Sequence, residues 1–208
     1  MKRILFFSVG FTIALYAVRV LYTGNFLFLF IPWNLFLAWL PFSFSLKMKN
    51  ETANAIKAFW FACWLLFFPN APYLITDFVH LEHRPNLPFY FDLIMLFSAA
   101  WNGLLLGLLS LQTVEHELKQ FFNVWKVKTM MLCLFVLCGF GIYLGRFDRF
   151  NSWHIITQPL DLFGSIFTYI FQPTQHFHTW AVTLLFAAVL WFMYETLRQF
   201  QIISKSSN

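Results

Sequence analysis

Six apolar stretches, at 4–22, 26–46, 58–75, 91–114, 129–145 and 180–197, each come close to the length of a membrane crossing. A helix rising about 1.5 Å per residue needs about 20 residues to cross a hydrocarbon core about 30 Å thick. Lipid offers a bare backbone no hydrogen-bond partner, so such stretches fold as helices. The expected fold is an all-α membrane protein, a six-helix transmembrane bundle forming one polytopic domain over 1–208. A shorter apolar piece at 160–171 spans only about 18 Å as a helix, which predicts an interfacial or re-entrant segment before the last helix. Composition agrees, with 60% hydrophobic and 11% charged residues where soluble domains carry roughly a quarter charged. Lys2 and Arg3 before an apolar core resemble a signal peptide, but the segment continues past Arg19 and lacks a small-x-small cleavage pattern. An uncleaved first helix is expected.

Charge gives the expected orientation. With the N-terminus, 47–57, 115–128 and the C-terminus on the cytoplasmic side, ten cations lie inside and four outside, as the positive-inside rule favours. All eight lysines are then inside, and the outer four are Arg19, Arg84, Arg146 and Arg149. Arginine suits a fixed, forked partner. The net charge of +5 is scattered in short runs and forms no basic stripe, which argues against a nucleic-acid partner. Cys63, Cys133 and Cys138 lie inside apolar runs without CxxC spacing or nearby His, and read as packing residues.

The third stretch is interrupted. Pro69 and Pro72 bracket Asn70, and two prolines three apart remove backbone donors and should break or kink a helix there. Broken membrane helices build binding sites at depth, and a kink packed against neighbours leaves the same sequence trace. Counted from the outer boundaries, Asn34, Asn70 and Asn102 fall about 11 to 17 Å deep. They either bond between helices that Gly103 and Gly107 let approach closely, or line a site.

Polar chemistry gathers after the break. Asp77, His80 and Arg84 share a face if the segment is helical, and a carboxylate beside an imidazole suits acid-base work. The same pattern fits an interfacial helix turned to water. Arg146 and Arg149, three apart after Gly145, can converge on a phosphate or carboxylate, with Asp148 between them as a competing partner. No HExxH, GxSxG, phosphate-binding Gly-rich loop or dinucleotide fingerprint occurs, so no metal site and no particular cofactor is indicated.

With PNAPYLITDFVHL at 69–81 and GIYLGRFDRFNSW at 141–153, the chain resembles the bacterial membrane-protein family catalogued as domain of unknown function 1361. The resemblance implies a multi-helix protein of the bacterial cytoplasmic membrane and leaves its activity open. The family's proline-asparagine break matches Pro69, Asn70, Ala71, Pro72 and Tyr73, and its acidic-histidine pair matches Asp77 and His80. Its second motif matches Gly145, Arg146, Arg149, Asn151, Ser152 and Trp153. An acidic residue follows that Trp in the family pattern where this chain has His154, so a mechanism needing a carboxylate there does not carry over.

These residues predict a polar site at the outer face. Arg146 and Arg149, with Asn34, Asn70, Asn102, Asn151 and Trp153, would bind an anionic lipid headgroup or lipid-linked substrate, and Asp77 and His80 would act as acid and base. Two alternatives use the same residues. One is a small-solute transporter or permeation pathway with the asparagines along a route; the other is an assembly or scaffold protein without chemistry, its partners being membrane lipid and other helices.

Overall fold

A computed structural model describes residues 2–83 and 88–206, and every regular element among them is helical. In order they are α1 (Lys2–Thr23), α2 (Phe30–Asn50), α3 (Asn54–Phe67), α4 (Asn70–Tyr73), a 3-10 helix (Leu74–His80), α5 (Phe89–Phe121), α6 (Val124–Arg146), α7 (His154–Thr157), α8 (Pro159–Phe171) and α9 (Phe177–Ser206). Five stretches are long and apolar enough to cross a membrane: Arg3–Thr23, Asn54–His80, Phe89–Phe121, Val124–Arg146 and Phe177–Phe200. α2 has the length of a crossing, yet Pro32, Asn34, Pro41, Ser43 and Ser45 make it less apolar than these five. Arg84, expected on the outer face, lies outside the described residues.

The surface identifies the solvent. Phe6, Phe7, Leu21, Phe26, Tyr90 and Trp125 are all more than two-thirds exposed or close to it, an arrangement water would not tolerate over so large an area. Such residues face lipid in a multi-span membrane protein. α8 is the interfacial segment. Pro159 opens it at a position where a missing N–H costs nothing. Phe163, Phe167 and Phe171 recur along one exposed edge while Leu162 packs inward, as in a helix lying in the headgroup boundary.

Two polar loops expected from hydropathy are mostly helix. α2 runs through Lys47 and Lys49 to Asn50, and α3 begins at Asn54, so only 51–53 are non-helical in the expected 47–57 loop. Glu51 fills that gap: its carboxylate accepts the Ala53 and Thr52 N–H groups, which hold its pKa below the ordinary value. α5 continues through Glu115 and Lys119, an i,i+4 ion pair of 2.8 Å, to Phe121. Its 33 residues extend about 50 Å, more than the hydrocarbon needs. Asn123 then caps α6 by accepting the Lys126 N–H at 2.9 Å. Hydropathy ends where charge begins; backbone hydrogen bonding does not.

The chain divides into two compact units, 1–114 and 115–208. The core of the first combines Ile31, Leu35 and Ala38 on one stripe of α2 with Ala71, Leu74 and the α5 residues Met95, Leu96 and Ala99. In the second, α6 packs along α9, with Met131, Leu134, Phe135, Cys138 and Ile142 buried on one face. Gly139 permits the contact, since a Cβ there would collide with the Thr183 carbonyl of α9.

Candidate functional site

The residues after α3 are shaped by two missing donors. Pro69 and Pro72 have no N–H to give, and the Ala71 N–H turns to the Phe68 carbonyl, three residues back, at 3.1 Å. That leaves the Phe67 carbonyl without its usual helical donor, and the Asn70 side chain supplies one, Nδ2 to O at 2.9 Å. After a single α-turn the chain tightens into the 3-10 helix. α5 accommodates this segment through a GLLLG run. The Ala71 carbonyl occupies the place a Cβ on Gly103 would take, and the Ala71 methyl lies 3.1 Å from the corresponding point on Gly107.

A 3-10 helix has three residues per turn, so Asp77 and His80 stand one above the other. Both meet α2. Asn34 Nδ2 donates to Asp77 Oδ2 at 2.9 Å, and Asp77 is only 2% exposed. One turn earlier on α2, the Phe30 ring lies 4.9 Å from the exposed His80 ring. The pairs 30 with 80 and 34 with 77 run in opposite directions, so α2 and the 3-10 helix are antiparallel neighbours. Asn34 is thus brought to Asp77, while Asn70 serves its own helix.

Asn102 has a third environment. Buried on α5, it donates to Thr12 Oγ1 at 2.9 Å and to the Ser8 carbonyl of α1 at 3.2 Å, while Thr12 and Ser98 share a 2.6 Å hydrogen bond. Each asparagine thus joins a different pair of elements: Asn34 ties α2 to the 3-10 helix, Asn70 ties α4 to α3, and Asn102 ties α5 to α1. On the same two helices, Arg19 and Asp92 form a buried ion pair, Nε to Oδ1 at 2.8 Å, with the guanidinium 4.4 Å from the Phe28 ring centre. This explains one of the four arginines expected on the outer side. Sequence reasoning gave Asp92 no role, although it is an acidic residue within the 91–114 apolar run and an intramembrane carboxylate calls for a partner.

The second motif forms the end of α6 in the other unit. Arg146 is the last helical residue, where the helix dipole favours a cation. The chain then folds back so that the Phe150 N–H reaches the Leu144 carbonyl at 3.0 Å. Arg149 accomplishes this turn with φ 60°, the one non-glycine residue of positive φ among those described. Holding an L residue in this left-handed region costs about 1–2 kcal/mol. Arg149 is exposed and makes no hydrogen bond or ion pair among the described residues.

Asp148, expected to compete for the arginines, accepts instead from Tyr169 Oη of α8 at 2.9 Å. Burial first, then this carboxylate, push the Tyr169 phenol up to about 12. The Tyr169 carbonyl accepts the Trp180 indole N–H at 3.0 Å, so α8 is tied to both the α6 turn and α9. Asn151 gives its backbone N–H to His154 Nδ1 at 3.1 Å, which fixes the imidazole as an acceptor at that nitrogen. Trp153 is 36% exposed beside it. Among the described residues no group of three His, Cys, Asp or Glu side chains is placed to hold a metal ion.

Searches among curated proteins and among solved structures find no match. A family model does match, over residues 33–193, which take in both motifs and most of the chain. These helices, the proline-asparagine segment and the arginine turn are accordingly those of a member of the family described as Protein of unknown function (DUF1361), to which this chain belongs.

Proposed function

We propose that the protein binds an anionic headgroup or lipid-linked substrate at the outer face of a bacterial cytoplasmic membrane, with Arg146 and Arg149 as the anion-binding residues. In this reading both termini are cytoplasmic, α2 is the sixth crossing, and α3 with the segment through His80 is a third crossing broken at its prolines. The observation that carries it is Arg149. A left-handed position is filled most cheaply by glycine, and an arginine there, exposed and without a bond among the described residues, is best explained by a use for its guanidinium. Asn151 and Trp153 flank it on the same loop, where an indole can pack along a ligand.

Within the first unit, Asp77 and His80 are proposed as an acid-base pair. The Asn34 amide, donating to Asp77, fixes the orientation of its carboxylate. Asn70 and Asn102 support the helices that carry the pair.

The test compares Arg149→Lys, Arg149→Gly and wild type for membrane accumulation and copurified lipid by mass spectrometry. Lysine keeps the charge and loses the bidentate fork; glycine loses both and relieves the backbone. Binding predicts normal accumulation with the anionic lipid reduced about tenfold in Arg149→Gly and less in Arg149→Lys, one strong charged hydrogen bond corresponding to roughly that factor. Unchanged lipid in Arg149→Gly would sink the proposal.

A further inference from the structure

Between the start of α6, the last turns of α5 and the far part of α9 lies a small cleft, open to its surroundings. Its two long edges are matched. Along α6, Leu132, Lys128 and Val124 follow at intervals of four residues; along α9, Trp191, Glu195 and Arg198 follow at four and three. Residues at such spacing share a helix face. α6 and α9 pack in opposite directions, Gly139 meeting Thr183 and Phe135 meeting Tyr194, so each edge passes from an apolar residue deeper in the helix pair, Leu132 or Trp191, to a cation further out, Lys128 or Arg198. Leu132 and Trp191 are 46% and 37% exposed, so the apolar part of the cleft is open from the side.

The charges are unevenly committed. Lys119 is held by Glu115 at 2.8 Å, Glu115 also accepts from Tyr194 Oη, and Arg198 is held by Glu195 at 3.1 Å. Lys128 lines the cleft, is exposed, and makes no hydrogen bond or ion pair among the described residues. Three cations against two carboxylates leave one positive charge uncompensated. Trp125, 79% exposed one turn before Lys128 and Thr129, is a residue of the kind that anchors a helix at the headgroup level. Open apolar walls, a cationic rim and a surplus of one charge suit a phosphodiester carrying acyl chains.

We propose that this cleft binds a phosphate ester with a single negative charge, supplied by an anionic phospholipid of the leaflet at this end of the helices, with Lys128 as the principal contact and Leu132 and Trp191 along the chains. This site goes beyond the outer-face reading and does not depend on it.

The test is native mass spectrometry of the full chain in detergent, titrated with phosphatidylglycerol or phosphatidylcholine of identical acyl chains. Phosphatidylglycerol should bind preferentially, and Lys128→Gln should lower its occupancy about fivefold, the effect expected of one basic residue at a lipid surface. Lys128→Arg should restore it. Lys126→Gln, the same charge change two residues away and outside the cleft lining, should leave occupancy unchanged. Equal binding of the two lipids, or equal effects of Lys126→Gln and Lys128→Gln, overturns the site. Displacement of bound phosphatidylglycerol by millimolar glycerol phosphate would overturn the lipid assignment in favour of a soluble phosphate ester; resistance to it supports the lipid.

Discussion

Arg19 shows what a single side chain can demand of a membrane fold. It is 2% exposed, pairs with an equally buried Asp92, and rests on the Phe28 ring. Removing one member of a buried pair leaves the other charge uncompensated, at a cost of about 3–5 kcal/mol, whereas replacing both by apolar residues of similar size is often neutral. Asp92→Leu alone is therefore expected to lower the unfolding temperature in detergent sharply. The double variant Arg19→Met, Asp92→Leu should recover most of that loss, and a double variant no better than the single one would show that the pair has no mutual role. The sequence marked Arg19 as an exception to the charge rule, but its partner is 73 residues away, and no local spacing points to it. Arg149 is the converse case. Its residue type singled it out, while its left-handed backbone is visible only in the folded turn.

Helices and their contacts were legible unequally. The apolar runs at 4–22, 91–114, 129–145 and 180–197 each fall within a single helix, α1, α5, α6 and α9, which extends past the run at both ends. Length in lipid fixes an apolar core, but the helix beyond it obeys capping and ion pairing, as with Asn123 and the Glu115–Lys119 pair. The small residues that set close approach were readable at Gly103 and Gly107, whose partner Ala71 was not. Gly139 gave no signal at all. Its contact with the Thr183 carbonyl is to backbone, which cannot swing aside as a side chain does. Gly139→Ala should therefore destabilise the α6 and α9 pair by about 1–3 kcal/mol. Gly10→Ala on α1, where a Cβ meets nothing within 4 Å, should be neutral or stabilising by up to about 1 kcal/mol, since alanine is the better helix former. Thermal unfolding of the two variants side by side measures both, and equal effects would mean that helix propensity, not contact, governs glycine in this fold.

For the whole molecule, class follows from composition and periodicity, whereas orientation and the number of crossings rest on charge. Five stretches meet the requirements for crossing, and α2 is the element on which the count turns. If α2 crosses, Asn25 before it and Lys49 near its end face opposite sides of the membrane; if it lies along the surface, they face the same side. The proposed orientation places Asn25, Glu82 and His154 outside, with Lys49 and Lys126 inside, because the reverse would put ten of fourteen cations on the outer side. Single cysteines at these five positions, in a chain lacking Cys63, Cys133 and Cys138, should divide accordingly when intact cells are treated with a membrane-impermeant thiol reagent. Labelling at 25, 82 and 154 alone supports six crossings with both termini inside. Labelling at 49 and 126 alone would reverse the orientation and move the proposed outer site to the cytoplasm. Labelling at 25 and 49 together would make α2 a surface helix, and Asn34 and Asp77 would then meet at the headgroup boundary and not at depth.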